Sequence, residues 1–159
     1  MGRKAREIAG VDLKELIKAL DRAYCDEWLA FYAYWYMALT VSGRGYEDMG
    51  EFLSKIAKDE LEHASEVAER IVELGGLPTN RPANFEKYAN APYPGVMKKL
   101  YDYDEIIKLV EDAEAGAIEV YNKIAKMTFG KDHDTYQLVC HILGEEIAHE
   151  EIMENLEEK

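Results

Sequence analysis

Glu60-Leu61-Glu62-His63 reads alone as four residues of a charged helix, but the chain writes the same Glu-x-x-His pattern again at Glu146-Ile147-Ala148-His149. Each copy follows an upstream glutamate by nearly the same distance, Glu27 by 33 residues and Glu114 by 32. Positions i and i+3 share one face of a helix, so each tetrapeptide presents a carboxylate and an imidazole to one point. Two such halves facing each other compose a dinuclear carboxylate site.

Outward from these motifs the sequence falls into four long helical patterns, with almost nothing that reads as strand. The first runs from about Leu13 to Val41 through Leu16, Leu20, Tyr24, Phe31, Tyr34 and Ala38, and ends at Ser42-Gly43-Arg44-Gly45. The second passes through Phe52, Ile56, Val67, Ile71 and Leu74, and Gly75-Gly76-Leu77-Pro78 stops it as a glycine C-cap followed by proline. All four prolines then fall in a connection spanning roughly 75–102, inside which a short helix near Phe85 to Asn90 is expected. A third pattern runs from about Asp104 to Phe129, and a fourth from about Asp132, a good N-cap, to Leu156. Short turns make each helix pair antiparallel, and the long connection has enough residues to travel the length of the bundle. The expected fold is an all-α four-helix bundle with one long crossover between helices 2 and 3, a single domain over 1–159 with a basic N-terminal tail over 1–10.

Each apolar stripe is interrupted at mid-length by ionisable groups. Glu27 follows Tyr24, Glu60 and His63 sit between Ile56 and Val67, Glu114 follows Val110, and Glu146 and His149 sit between Ile142 and Met153. Buried carboxylates without compensation cost several kcal/mol after relaxation, and four together repel. Two divalent cations cancel the charge of four glutamates, and two neutral imidazoles complete a ligand set of the kind found in di-iron and di-manganese bundles. The expected metal ligands are therefore Glu27, Glu60, His63, Glu114, Glu146 and His149. The bland alternative, solvated helix faces in a chain with 32 carboxylates, does not account for the matched repeat on apolar stripes.

Composition narrows the function. A formal charge of −13 opposes adhesion to nucleic acid and attracts cations, leaving Arg3, Lys4 and Arg6 as the only basic cluster, a solvated terminus more readily than a DNA arm. No apolar run approaches a membrane span and no apolar segment follows the N-terminal charges, so a cytoplasmic protein without membrane contact is expected. Two cysteines, Cys25 and Cys140, without Cys-x-x-Cys, argue against a rubredoxin-type iron centre and are expected reduced and buried.

The constellation resembles the ferritin-like superfamily, and within it bacterioferritin and the Dps-like proteins that keep a bacterioferritin-type site. The resemblance rests on Asp59-Glu60-Leu61-Glu62-His63-Ala64, on Arg70-Ile71-Val72-Glu73-Leu74-Gly75-Gly76-Leu77-Pro78 and on Glu145-Glu146-Ile147-Ala148-His149. It implies Glu27 and Glu114 as terminal ligands, Glu60 and Glu146 as bridges, and His63 and His149 bound to one iron each. It also places Tyr34 beside the site, where the internal repeat adds Tyr121. Each is a hydrogen-bond partner to a ligand, an electron donor in oxygen chemistry, or a packed core aromatic. Leu61 stands where bacterioferritins carry the haem-ligating methionine, so no haem is expected. The sequence stops at Lys159, short of a cage-closing fifth helix, so a dodecamer is favoured over a 24-mer or a dimer, and the cysteine pair of some Dps-like proteins has no counterpart.

The resemblance implies a ferroxidase: two Fe(II) per chain, oxidised by O2 or H2O2, for iron storage, detoxification and protection against oxidative stress, with manganese or zinc as other occupants. The competing readings are a rubrerythrin-like peroxidase or manganese catalase, for which Glu111 is a candidate extra ligand, and a DNA-protecting or structural shell. His133 and His141 read as surface residues. Glu62, Glu66, Glu150 and Glu151 offer either a route inward for cations or a charged outer face.

Overall fold

The computed structural model describes residues 3–95 and 99–157. A short helix α1 (Arg3–Ile8) precedes the first two long helices, α2 (Leu13–Thr40) and α3 (Tyr46–Glu73). A 3-10 turn (Pro82–Asn84) and α4 (Phe85–Tyr88) lie in the connection to α5 (Tyr103–Thr128) and α6 (His133–Glu157), and no strand occurs among the described residues. The four long helices form the expected bundle, each boundary within a residue or two of the sequence reading. Capping explains that agreement. Asp12 accepts the backbone N–H of Lys14 and Glu15 at the start of α2, and Asp132 accepts that of Thr135 at the start of α6. Gly75, at φ 89°, closes α3 with paired bonds from Gly75 N–H to Val72 and from Gly76 N–H to Ile71. Gly76 admits no side chain, since an added Cβ would stand 2.7 Å from Ile17 Cγ2.

The crossover runs the length of α2. It starts where Gly76 meets Ile17, and Thr79 donates from backbone and hydroxyl to Asp21. Arg22 then donates to Asn90, whose backbone and side-chain N–H groups donate to Asp26. Tyr93 packs beside Tyr32, and Ser42 N–H reaches Leu100 at the far end. The third long helix therefore starts beside the α2–α3 turn and runs antiparallel to α2.

One difference concerns the N-terminus. Residues 3–8 of the expected basic tail are helical, with Arg3 and Lys4 paired to Glu7. Residues 1–2 of that segment lie outside the described residues. Cys25 is buried, but Cys140 is only half-buried, and both thiols are free.

Two apolar clusters fill the interior. One gathers Met37, Leu53, Ile56, Ile106 and Val110 at one end, and the other Leu16, Leu20, Val67, Ile71, Ile124, Val139 and Ile142 at the opposite end. Tyr34 belongs to the first and Tyr121 to the second, and the polar layer lies between them.

Candidate metal centre

Glu27, Glu60, His63, Glu114, Glu146 and His149 all lie in that middle layer, none more than 5% exposed. They form two overlapping clusters, Glu27–Glu60–His63–Glu146 and Glu60–Glu114–Glu146–His149, in each of which one ligand atom per residue lies within 4.8 Å of the others. Glu60 and Glu146 belong to both. The structure thus brings together all six residues that the repeat singled out, with the leading glutamates of the two tetrapeptides shared and Glu27 and Glu114 in one cluster each.

The imidazoles aim inward through Nδ1. That of His63 stands 3.0 Å from Glu146 Oε1, 3.3 Å from Glu60 Oε2 and 3.8 Å from Glu27 Oε2. That of His149 stands 3.2 Å from Glu114 Oε2, 3.8 Å from Glu146 Oε2 and 3.9 Å from Glu60 Oε1. Their outer nitrogens are held across the bundle: His63 Nε2 lies 2.8 Å from Glu145 Oε2, and His149 Nε2 lies 3.2 Å from Asp59 Oδ2. When the imidazole is neutral, a carboxylate on Nε2 fixes the tautomer that leaves a lone pair on Nδ1. The bracing acid immediately precedes the glutamate of the opposite tetrapeptide, so the repeat unit is acid-Glu-x-x-His. Asp59 and Glu145, which contact the two imidazoles, fall outside the bare Glu-x-x-His pattern. The signal for them was present in the same two stretches.

The tyrosines cross in the same way. Tyr34 donates to Glu114 Oε1 at 2.6 Å, and Tyr121 donates to Glu27 Oε1. Each phenol thus holds the upstream glutamate of the other half. Both phenols are pushed well above their ordinary range, by burial first and then by the surrounding carboxylates, so they remain donors.

Electrostatics show what this layer lacks. Burial, reinforced by the neighbouring carboxylates, raises Glu60 well above the usual range. Burial likewise carries Glu114 to about 8, against the lowering effect of His149. Burial also works on Glu146, but hydrogen bonding from His149 and His63 outweighs it and holds this carboxyl low. His149 rises to about 10 because its desolvation is overcome by Glu114 and Glu146, and His63 rises in the same sense. Glu60 Oε1 is buried without a hydrogen-bond partner, and the buried oxygens of Glu146 meet only the two imidazoles. Buried oxygens on the two shared glutamates, ringed by four further donors, fit cations.

Of the remaining candidates, Glu111 belongs to neither cluster. His133 is exposed, and His141 is a surface residue 3.7 Å from Glu145. Among the described residues no helix is long and apolar enough to cross a membrane.

The pattern of the ferritin-like domain matches residues 17–159. The DNA protection during starvation protein of Pyrococcus furiosus is 30% identical over 156 residues, covering 97% of this chain and 83% of that protein. A bacterioferritin of Desulfovibrio desulfuricans is 29% identical, covering 89% and 74%. Among solved structures, a dodecameric thioferritin, the bacterioferritin-related protein of Bacteroides fragilis, superposes with a TM-score of 0.92 at 33% identity, covering 97% of this chain and 92% of that one. The match over residues 17–159, carried by the same four helices that build the carboxylate layer, means that this chain belongs to the ferritin-like family.

Proposed function

We propose that the protein is a ferroxidase that takes Fe(II) as substrate, oxidises it with O2 or H2O2, and retains or stores the Fe(III) product. The observation that carries this reading is the pair of overlapping clusters sharing Glu60 and Glu146. Two ferrous ions held side by side supply together the two electrons that convert H2O2 to hydroxide or O2 to the peroxide level. Carboxylate oxygens, as hard donors, favour the ferric product, while the two imidazoles, braced by Asp59 and Glu145, fix where each ion sits. Tyr34 and Tyr121 hold Glu114 and Glu27 in place and are oxidisable side chains hydrogen-bonded directly to the cluster. Anaerobic Fe(II) titration should end at two irons per chain, and stopped-flow absorbance should then show oxidation on adding O2 or H2O2. Absence of oxidant-dependent absorbance at that stoichiometry would reject the reading.

Two supporting predictions follow from the same geometry. Replacing Glu145 with alanine releases His63 Nε2 and is expected to weaken Co(II) binding by about tenfold. Calorimetric titration reads this directly, and unchanged affinity would mean that His63 needs no brace. A gel shift at low salt should show no retention of duplex DNA, because Arg3 and Lys4 are already paired with Glu7 and the chain carries a charge of −13.

For assembly, we propose a homo-oligomer, with the dodecamer of the Bacteroides thioferritin as the reference. Tyr32, Trp35 and Leu39 form an exposed apolar stripe on α2 at spacings of three and four, of the kind that subunit contacts cover.

A further inference from the structure

A cavity of about 670 Å³ opens between α2 and α5 beneath crossover residues 90–94 and descends to the carboxylate layer, where Glu27, Glu60, Glu114 and Glu146 line it. It exists because its walls are small. Ala30 on α2 faces Ala113 and Ala117 on α5, and at Gly116 an added Cβ would meet nothing within 4 Å. These short side chains leave α2 and α5 unpacked at the height of the centre, whereas α2–α3 and α5–α6 pack along their length.

The rim and the floor differ in what they offer. Glu105, Asp112 and Glu119, spaced by seven, form an exposed acidic row along the α5 edge, against one cation, Lys108. The floor holds Glu60, whose Oε1 has no hydrogen-bond partner, and Glu146, each residue 1% exposed. Between rim and floor the walls are mostly apolar, and the one further carboxylate of the lining, Asp26, already accepts from Asn90 and Ala91. The opposite face, between α3 and α6, is closed by the imidazoles themselves, each backed by Glu145 or Asp59. Glu62, Glu66, Glu150 and Glu151, candidates for an inward route from the sequence, do not line the cavity.

We infer that the α2–α5 cleft is the entrance by which divalent cations reach the centre, with Glu105, Asp112 and Glu119 as the row that steers them. The inference rests on the metal-centre reading above and adds its direction of access. A rim with an excess of one sign above low-dielectric walls focuses the field and raises association rates, by about 10- to 1000-fold at low salt in the strongest cases.

The test uses metal-free, full-length protein and Co(II) as probe, followed by stopped-flow through its d–d absorbance. Equilibrium titration comes first, and a wild type that binds no Co(II) overturns the metal-centre reading, and this inference with it. With binding established, the variant Glu105→Gln/Asp112→Asn/Glu119→Gln is expected to load about tenfold more slowly at low salt. That difference should vanish near 1 M salt, where screening acts within about 3 Å, while equilibrium affinity stays within about twofold. Gly116→Trp, placed in open space over the cleft, should slow loading at every salt concentration. Gly144→Trp, which also meets open space but lies on α6, should load as wild type. Wild-type loading by both the triple variant and Gly116→Trp overturns the inference. So does slowing confined to Gly144→Trp, or an affinity loss in the triple variant that accounts for its rate.

Discussion

Glu60→Gln is expected to make the metal-free protein more stable and the metal-binding protein nearly useless. Glu60 is 1% exposed, and its Oε1 has no hydrogen-bond partner. Burial and then Glu146, Glu114 and Glu27 push its carboxyl well above the ordinary range. A carboxyl raised on folding lowers stability as pH climbs above its unfolded value of about 4.3, because the unfolded chain releases a proton that the folded chain keeps. Glutamine has the same shape without that proton linkage. The gain in metal-free protein should be about 2 kcal/mol at neutral pH, or about 4–8 °C in melting temperature, shrinking towards pH 4. Since Glu60 belongs to both clusters, the same change removes a ligand atom from both sites, and Co(II) affinity should fall by more than about 100-fold. Added metal then stabilises wild type through mass action and leaves the variant where it was, reversing their order. Scanning calorimetry with chelator and with excess Co(II) reads both halves. A variant that melts below metal-free wild type would mean that the buried carboxyl stabilises the empty fold.

That reversal follows from how function is distributed along the chain. The bundle could be read from local signals: Asp12, Asp132 and Gly75 mark helix ends by their own chemistry, and the stripes through Leu16, Ile56, Val110 and Ile142 fix which faces turn inward. The six central groups could be read as interruptions of those stripes. Pairings across the bundle could not be read in this way, because they depend on how far one helix slides along another. That Tyr34 serves Glu114 rather than its neighbour Glu27 on the same helix follows from α2 and α5 running antiparallel with 27 level with 121 and 34 with 114. The same geometry sends Glu145 to His63 and Asp59 to His149. The cleft was hidden for a further reason. Small residues at Ala30, Ala113, Gly116 and Ala117 are ordinary in helices, and only the facing of α2 and α5 turns them into a gap.

The sliding of α3 against α6 has an identifiable lock, and Arg70→Ala is expected to break it at a cost of about 3–5 kcal/mol. Arg70 is 4% exposed and lies seven residues beyond His63 on α3. Its guanidinium donates to Thr135 Oγ1 at 2.8 Å, to Asp134 at 2.6 Å, to Glu73 at 2.8 Å and to both oxygens of Asp132 at 3.0 and 3.1 Å. Asp132 is itself buried and caps α6 through Thr135, so removing the arginine strands a carboxylate inside the fold. In the intact protein burial works to raise Asp132, but the Thr135 hydrogen bonds and the Arg70 charge prevail and hold it low. A carboxyl lowered on folding contributes its full stability above its unfolded value of about 3.9 and loses it as pH falls through the folded one. Arg70→Ala should therefore lose about 10 °C or more in melting temperature near neutral pH and progressively less in acid, and adding Asp132→Asn should recover part of the loss. The variant should also bind Co(II) more weakly than wild type, although Arg70 touches none of the six ligands, because the axial offset of α3 and α6 sets whether Glu145 reaches His63 and Asp59 reaches His149. Melting curves across pH with parallel Co(II) titrations measure both effects. A melting temperature within about 2 °C of wild type would remove the lock, and unchanged affinity in a destabilised variant would show that helix register is held elsewhere.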